Sequence, residues 1–288
     1  MKKDIKWSVR ADRIITRYAG LHHMGKQHSS SAEIDNAWLI LRLLGECKIC
    51  GGHKPIHPET NKTAALLVYL ALEPGPHHRH QLADLLWGNL PEDKALRALR
   101  RALWNMRRFL CDPAPVATLQ ISSSTVTWNP HASCWIDVQA FQHCIETGAL
   151  AEAVALYAGD LLDSFYVNDA PAFEEWLLSA REHLRSEIIF ALQRLSQQKT
   201  AQCDYAAALT HAQRILQLEE WREEAHREVM RLLALSGQRS AALMQYEKCR
   251  CILTRELGVQ PAAETRQLYE QIARDDEGHR TYLCPAAS

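Results

Sequence analysis

Residues 91–110 read PEDKALRALRRALWNMRRFL. At about 100° per residue, Ala95, Leu99, Ala102, Leu103, Met106 and Leu110 fall on one side of a helix. Lys94, Arg97, Arg101, Asn105 and Arg108 gather on the other, with Trp104 at the margin. The start is marked by Pro91, which tolerates a first turn, and by Glu92 and Asp93, whose charge suits the positive end of the helix dipole. Such a helix packs on a domain while offering guanidinium forks to phosphates and guanine edges. Taken alone, a basic face is most often simply a solvated one. The neighbouring segments decide what this one is for.

Working outward, His80 to Trp87 (HQLADLLW) predicts a short helix, with Gly88-Asn89 as the turn into the basic one. Thr63 to Leu72 (TAALLVYLAL) predicts an apolar helix ended by Pro74-Gly75. His77, His78 and His80 crowd the loop between these two helices. No cysteine or carboxylate cluster completes a tetrahedral zinc site there, so a solvated or phosphate-facing loop is expected. Downstream, Ala117 to Ser122 and Thr125 to Trp128 predict a hairpin around Ser123-Ser124. Upstream, Trp38 to Ile49 (WLILRLLGECKI) predicts a strand, turning at Gly51-Gly52 into a short segment ending at Ile56. Cys47 and Cys50, with His53 and His57 nearby, form a lone CxxC without a second matched pair. Alternation in a hairpin puts the two thiols on opposite faces, and plain hairpin residues are expected. Strands, three helices and a hairpin, in that order, make the winged helix-turn-helix plan.

The charge balance divides along the chain. Residues 1–112 carry 18 Lys/Arg against 11 Asp/Glu, a balance of +7, and residues 113–288 carry 15 against 23, a balance of −8. A basic front half suits an anionic partner, and an acidic back half suits a different task. Nine cysteines, odd in number and scattered, do not form a disulfide framework. With no apolar signal segment in MKKDIKWSVRADRIITRY, a reducing cytoplasm is expected. No run is long and apolar enough for a bilayer, so no membrane partner is expected. Residues 1–36 read as a basic stretch from Ile5 to Tyr18 followed by a linker. Gly20-Leu21-His22-His23-Met24-Gly25-Lys26 has phosphate-loop spacing, but Gln27 stands where magnesium needs a hydroxyl, and no buried strand leads in. No cofactor and no enzymatic activity are expected.

From Trp135 onward the periodicity is helical. Apolar residues recur at helical spacing through Ala149 to Leu162, Phe173 to Leu195, Tyr205 to Leu218, Glu223 to Leu235, Arg239 to Leu253 and Glu264 to Ile272. Asp204-Tyr205-Ala206-Ala207-Ala208-Leu209 repeats as Gln238-Arg239-Ser240-Ala241-Ala242-Leu243, an offset of 34, the tetratricopeptide period. A looser copy lies at Leu150-Ala151-Glu152-Ala153-Val154. Small alanines at these places let paired helices approach closely. Trp221, Tyr246 and Tyr269 are expected in the core, and Trp87 in the core or at its edge. Trp104 is expected to pack in the core or at its edge. Cys249 and Cys251 point about 200° apart on one helix and cannot share a metal ion.

Several stretches together resemble the actinobacterial-type antibiotic regulatory proteins, in which a winged helix is fused to a bacterial transcriptional activator domain. In the front half these are Leu41-Arg42-Leu43-Leu44-Gly45, Ala64 to Leu72 with Pro74-Gly75, Leu85-Leu86-Trp87 with Leu90-Pro91-Glu92, and Leu99-Arg100-Arg101-Ala102-Leu103 with Arg107-Arg108. In the back half they are Trp135-Ile136-Asp137-Val138 with Phe141, Tyr157 with Gly159-Asp160-Leu161-Leu162, and Arg255-Glu256-Leu257-Gly258-Val259-Gln260-Pro261 with Glu264-Thr265 and Leu268-Tyr269. The likeness covers about residues 38–275; residues 1–36 match nothing in the pattern, and the Gln197-Gln198-Lys199 connection carries less family character than its neighbours.

The fold expected is mainly α: an N-terminal winged helix-turn-helix (α+β) followed by an all-α tetratricopeptide-like helical domain. The boundaries are 1–36 for the extension, 37–130 for the DNA-binding domain, 131–276 for the activator domain and 277–288 for the tail. The resemblance implies a sequence-specific activator that binds promoter-proximal DNA repeats as a homodimer and helps recruit RNA polymerase. Carried onto this chain, Lys94, Arg97 and Arg101 are the expected base readers. Arg100, Asn105, Arg107 and Arg108 complete the helix face, with Arg108, and Arg100 or Arg107 at the flanks, on phosphates. Lys62, Arg79 and the wing residues Ser123, Ser124 and Thr125 are expected backbone contacts. A protein-binding winged helix on an adaptor is the alternative, since fold alone does not fix function. Deletion of residues 135–288 is expected to leave weak DNA binding and no activation.

Overall fold

A computed structural model describes residues 34, 37–52, 54–110 and 117–274. The phosphate-loop-like stretch, the basic N-terminal segment, His53 and the C-terminal tail lie outside the described residues. The element order from residue 37 is β1 (Leu39–Arg42), β2 (Lys48–Gly51), β3 (Lys54–Pro55), α1 (Asn61–Leu72), β4 (Pro76–His78), α2 (Arg79–Trp87), α3 (Glu92–Leu110), β5 (Leu119–Ile121), β6 (Thr125–Trp128) and β7 (Cys134–Ile136). Helices follow: α4 (Asp137–Thr147), α5 (Leu150–Leu156), α6 (Pro171–Ala201), α7 (Tyr205–Leu218), α8 (Glu223–Leu235), α9 (Arg239–Leu257) and α10 (Ala263–Arg274). The architecture is a winged helix-turn-helix followed by a helical array.

Two small sheets frame α1 to α3. The first has strand order β3-β2-β1-β7, and the second β4-β6-β5. The expected long strand from Trp38 to Ile49 is in fact two strands joined by a sharp turn. Gly45 sits there at φ +106, a conformation open chiefly to glycine. The loop His77-His78 is likewise strand β4, which pairs antiparallel with β6 of the wing. Central α1 buries eight of its twelve residues, as a helix covered on most sides must. The Thr60 hydroxyl caps it by accepting from the Thr63 amide at 3.2 Å.

The halves are not joined by a free linker. Strand β7 pairs parallel with β1, placing Trp135 opposite Ile40. Just after it, Asp137 is buried, and its carboxylate accepts from the amides of Leu43 (2.7 Å), Leu44 (2.9 Å) and Val138 (2.8 Å). The β1–β2 turn is also tied to residues 160–163: the Gly45 amide donates to Asp160 O, and the amides of Leu162 and Asp163 donate to Leu43 O and Gly45 O. Arg181 donates to the carbonyls of Leu161 (2.7 Å) and Leu162 (2.6 Å). One hydrophobic core accordingly runs from Leu39 and Leu66 through Leu86 and Leu99 to Phe141, Tyr157, Phe173 and Leu184. Deleting residues 135–288 would strip this sheet and core, so that cut does not yield a clean DNA-binding fragment.

The tetratricopeptide-like spacing is real in three dimensions. Helices α7 and α9 begin at Tyr205 and Arg239, the residues that the 34-residue offset relates. Ala208, Ala212 and Ala242 are buried where helices meet. The expected helix from Ala149 to Leu162 stops at Leu156, because Tyr157 to Asp163 turns away to bind the β1–β2 turn. Gln197 to Lys199 lies inside the long helix α6 rather than in a connection. Trp221 is exposed, contrary to expectation, whereas Tyr246 and Tyr269 stack with centroids 4.3 Å apart. Cys249 is buried and Cys251 exposed, as their angular separation requires. Among the described residues no group of three or more His, Cys, Asp or Glu could hold a metal ion, and no helix is long and apolar enough to cross a membrane.

Candidate nucleic-acid interface

Helix α3 buries Ala95, Leu99, Ala102, Leu103, Asn105 and Met106. That leaves Lys94, Arg97, Arg100, Arg101, Trp104, Arg107 and Arg108 exposed on one face. At about 100° per residue, those seven side chains span roughly 140° of the helix. The helix is held for presentation by the tight turn before it. Gly88 leaves no room for a side chain, since a Cβ would stand 2.6 Å from Asp84 O. The Leu90 amide then donates to Trp87 O at 2.9 Å, and Pro91 O accepts from Lys94 N at 2.8 Å. Glu92 and Asp93 occupy the first turn and Arg107 and Arg108 the last, each matching the dipole.

Individual side chains are differently placed. Arg97 Nε donates to Asp93 O at 3.2 Å, which leans it toward the helix start. Arg108 Nη1 meets Glu59 Oε1 at 3.3 Å, and its guanidinium lies over the Trp104 ring at 4.9 Å. Asn105 is 5% exposed and belongs to the packed side: the chain before α1 covers it, and its Oδ1 accepts from Glu59 N at 3.5 Å. The wheel places Asn105 close to Lys94, so only the covering segment, invisible to periodicity, removes it from the surface. Trp104 departs in the other direction. It is 58% exposed, in the middle of the cationic face rather than packed at an edge.

The wing supplies a second element. Its turn is built by Ser122, whose hydroxyl accepts from the amides of Ser124 (3.2 Å) and Thr125 (2.8 Å). Arg79 joins it, with its amide donating to Ser124 O at 2.9 Å and Nη1 to Ser123 O at 3.4 Å. Ser123 and Ser124 are exposed, with Thr125 partly so. Arg79 and the wing tip are thus one structure. Lys62 is engaged elsewhere: Nζ donates to Asp169 O at 3.2 Å and lies 5.8 Å from the Trp87 ring centre. Burial draws its pKa below the usual lysine value, opposed by Asp169. It fastens α1 to the helical half instead of facing outward.

Behind the interface, Asp160 organises the joint. It accepts from Tyr157 Oη at 2.8 Å and is bonded by Arg185. Burial, and then the Asp160 bond, hold the Tyr157 phenol well above its ordinary range. Arg214 Nη2 adds a 2.6 Å bond to Tyr157 O. At Asp137, burial raises the carboxyl pKa, while the three amides and Arg42 pull it back. No local pattern signals these contacts, although Asp137, Tyr157 and Asp160 fall within the family landmarks.

The chain joins a winged helix to this helical array, and known proteins resemble it in each part. Residues 139–273 match the family described as "Bacterial transcriptional activator domain". The regulatory protein AfsR of Streptomyces griseus is 25% identical over 253 residues, which are 83% of this chain and 25% of that protein. The chain therefore spans about a quarter of the length of this relative. Among solved structures, EmbR of Mycobacterium tuberculosis, solved with a low-affinity phosphopeptide, superposes with a TM-score of 0.64. That match has 21% identity and covers 83% of this chain and 65% of EmbR; it bears on fold alone. The likeness to a bacterial transcriptional activator domain thus lies in the helical half, while the likeness to AfsR takes in both halves of the chain.

Proposed function

We propose that this chain is a sequence-specific DNA-binding activator, which binds promoter-proximal repeats through α3 and the wing and recruits RNA polymerase through its helical half. The observation that carries this reading is the exposed face of α3, where six cationic side chains stand clear of the core on the second helix of a helix-turn-helix. In this geometry the N-terminal part of the helix approaches base edges, and the flanks and wing meet phosphates. Lys94, Arg97 and Arg101 are the base readers. Arg100, Arg107 and Arg108, with Arg79, Ser123, Ser124 and Thr125, grip the backbone. Asn105 and Lys62 have no part in it. Residues 37–130 carry the DNA contacts and 131–276 the activating surface, although they share a core. Homodimerisation on tandem repeats follows from the family resemblance.

Selection of bound fragments from a random duplex pool, with Arg101→Ala alongside, tests the reading. A recurring short motif is expected, which the variant recovers poorly, because a bidentate arginine on guanine contributes about 1–3 kcal/mol of discrimination. Binding to the motif should weaken steeply as salt rises, through counterion release. Motif-free retention would reduce the protein to a non-specific DNA binder. No retention at low salt would favour a protein-binding winged helix.

A further inference from the structure

The cationic face of α3 has an apolar centre that charge does not explain. Trp104 is 58% exposed, and at about 100° per residue it lies between Arg97 and Arg100 on the wheel. Large apolar side chains left exposed beside a binding face are informative, because their burial in a complex removes much apolar area from water. The indole is also held in place. Arg108, one turn further on, lies over its ring at 4.9 Å, and Glu59 in turn fixes Arg108 at 3.3 Å. One ring face is thereby occupied, and the exposed remainder of the indole points away from the core.

We propose that Trp104 is a specificity-determining residue, whose indole makes apolar contact with the C5-methyl group of a thymine in the major groove. The inference rests on the DNA-binding reading of α3 and deepens it. Among the groups that mark the base pairs in the major groove, this methyl is the apolar one and the others are hydrogen-bond donors or acceptors. An indole pressed against any other base edge would leave polar groups without partners, which disfavours those sequences. Stacking on bases is excluded, since a duplex offers no free base faces. The arginines on either side supply guanine and phosphate contacts, so the expected site places thymine beside guanine.

The test uses the full chain and the duplex recovered by random-pool selection, with each thymine replaced in turn by deoxyuridine. That change removes the methyl and leaves base pairing intact. Affinity is read by fluorescence anisotropy at fixed salt. Wild-type protein is expected to bind about fourfold more weakly when the contacted thymine loses its methyl, by analogy with one buried carbon. Trp104→Ala should be indifferent to that replacement and weaker on the unmodified duplex; Trp104→Phe should recover part of the difference. Because Trp104 is exposed, neither variant threatens the fold, and circular dichroism verifies this. Uracil sensitivity that persists in Trp104→Ala overturns the proposal. So does an equal loss on selected and random duplexes, which would mean simple backbone packing. Unaltered DNA binding with an altered oligomeric state would assign Trp104 to a protein contact instead. If Arg101→Ala abolishes motif recovery while no uracil has any effect, the role of Trp104 fails alone. If no motif is recovered, the DNA reading itself fails.

Discussion

Replacing Asp137 by alanine tests whether one carboxylate joins the two halves. Its Oδ2 accepts from two amides 93 and 94 residues away in sequence, and Oδ1 from its own neighbour Val138. Truncation leaves the buried amides of Leu43 and Leu44 without their acceptor. Each orphaned group costs about 1–3 kcal/mol, so Asp137→Ala should lose about 2–6 kcal/mol. Set against a typical total of about 5–15 kcal/mol, that is a large fraction. Asp137→Asn can still turn its carbonyl toward Leu43 and Leu44, while its NH2 group faces the Val138 amide. A loss of about 1–2 kcal/mol is expected there. Urea unfolding followed by far-ultraviolet circular dichroism measures both, read as a fall in midpoint at constant slope. A loss under about 1 kcal/mol for alanine would refute the reasoning. Equal losses for alanine and asparagine would show that charge, rather than acceptor geometry, matters.

Two further expectations concern the helical array. Ala208 is fully buried, and its carbonyl accepts from Ser196 at 3.1 Å. Ala208→Leu should overpack the contact between α6 and α7 and cost about 1–3 kcal/mol by the same assay, whereas Ala206→Leu nearby should cost little. His226 is buried, with Nε2–H donating to Glu220 O at 2.8 Å and Nδ1 accepting from Gln245 at 2.7 Å. Burial, foremost, lowers its pKa below the ordinary histidine value. The folded state therefore binds a proton less readily than the unfolded chain. The stability this contributes is present above the ordinary histidine pKa and is lost as pH falls toward the lowered folded value. Between about pH 7.5 and 5.5, His226→Gln should flatten the decline of the urea midpoint. An unchanged decline would assign the pH dependence to other groups, His211 among them, which burial shifts the same way.

The long elements were legible because their periodicity is. Residues 91–110 show an apolar stripe over five turns, and the structure returns α3 with nearly those bounds. Helices α7 and α8 match expectation at both ends. Strands β4 and β7, of three residues each, are too short for alternation to register, and their pairing is decided by distant partners. The same holds residue by residue at the interface. Arg97, Arg100, Arg101, Arg107 and Arg108 are exposed as the wheel requires, because helix geometry alone sets their direction. Asn105, Trp104 and Lys62 went astray because their fates depend on the segment at Glu59, on the helix face left uncovered, and on the loop at Asp169. Those are tertiary neighbours that no local pattern encodes.

The parallel pairing of β1 with β7, and the stitching of Gly45 to residues 160–163, also bear on how the chain is made. A ribosome delivers Leu39 to Gly45 well before their partners. At about 5–20 residues per second, the interval to Asp163 is on the order of ten seconds. During that time the first sheet lacks an edge strand, and the Leu43 and Leu44 amides await a carboxylate not yet synthesised. The front half therefore cannot close as a finished unit while the chain is growing. Nascent chains halted before about residue 163 should stay sensitive to protease and attractive to chaperones, and protection should arrive in one step once that segment clears the exit tunnel.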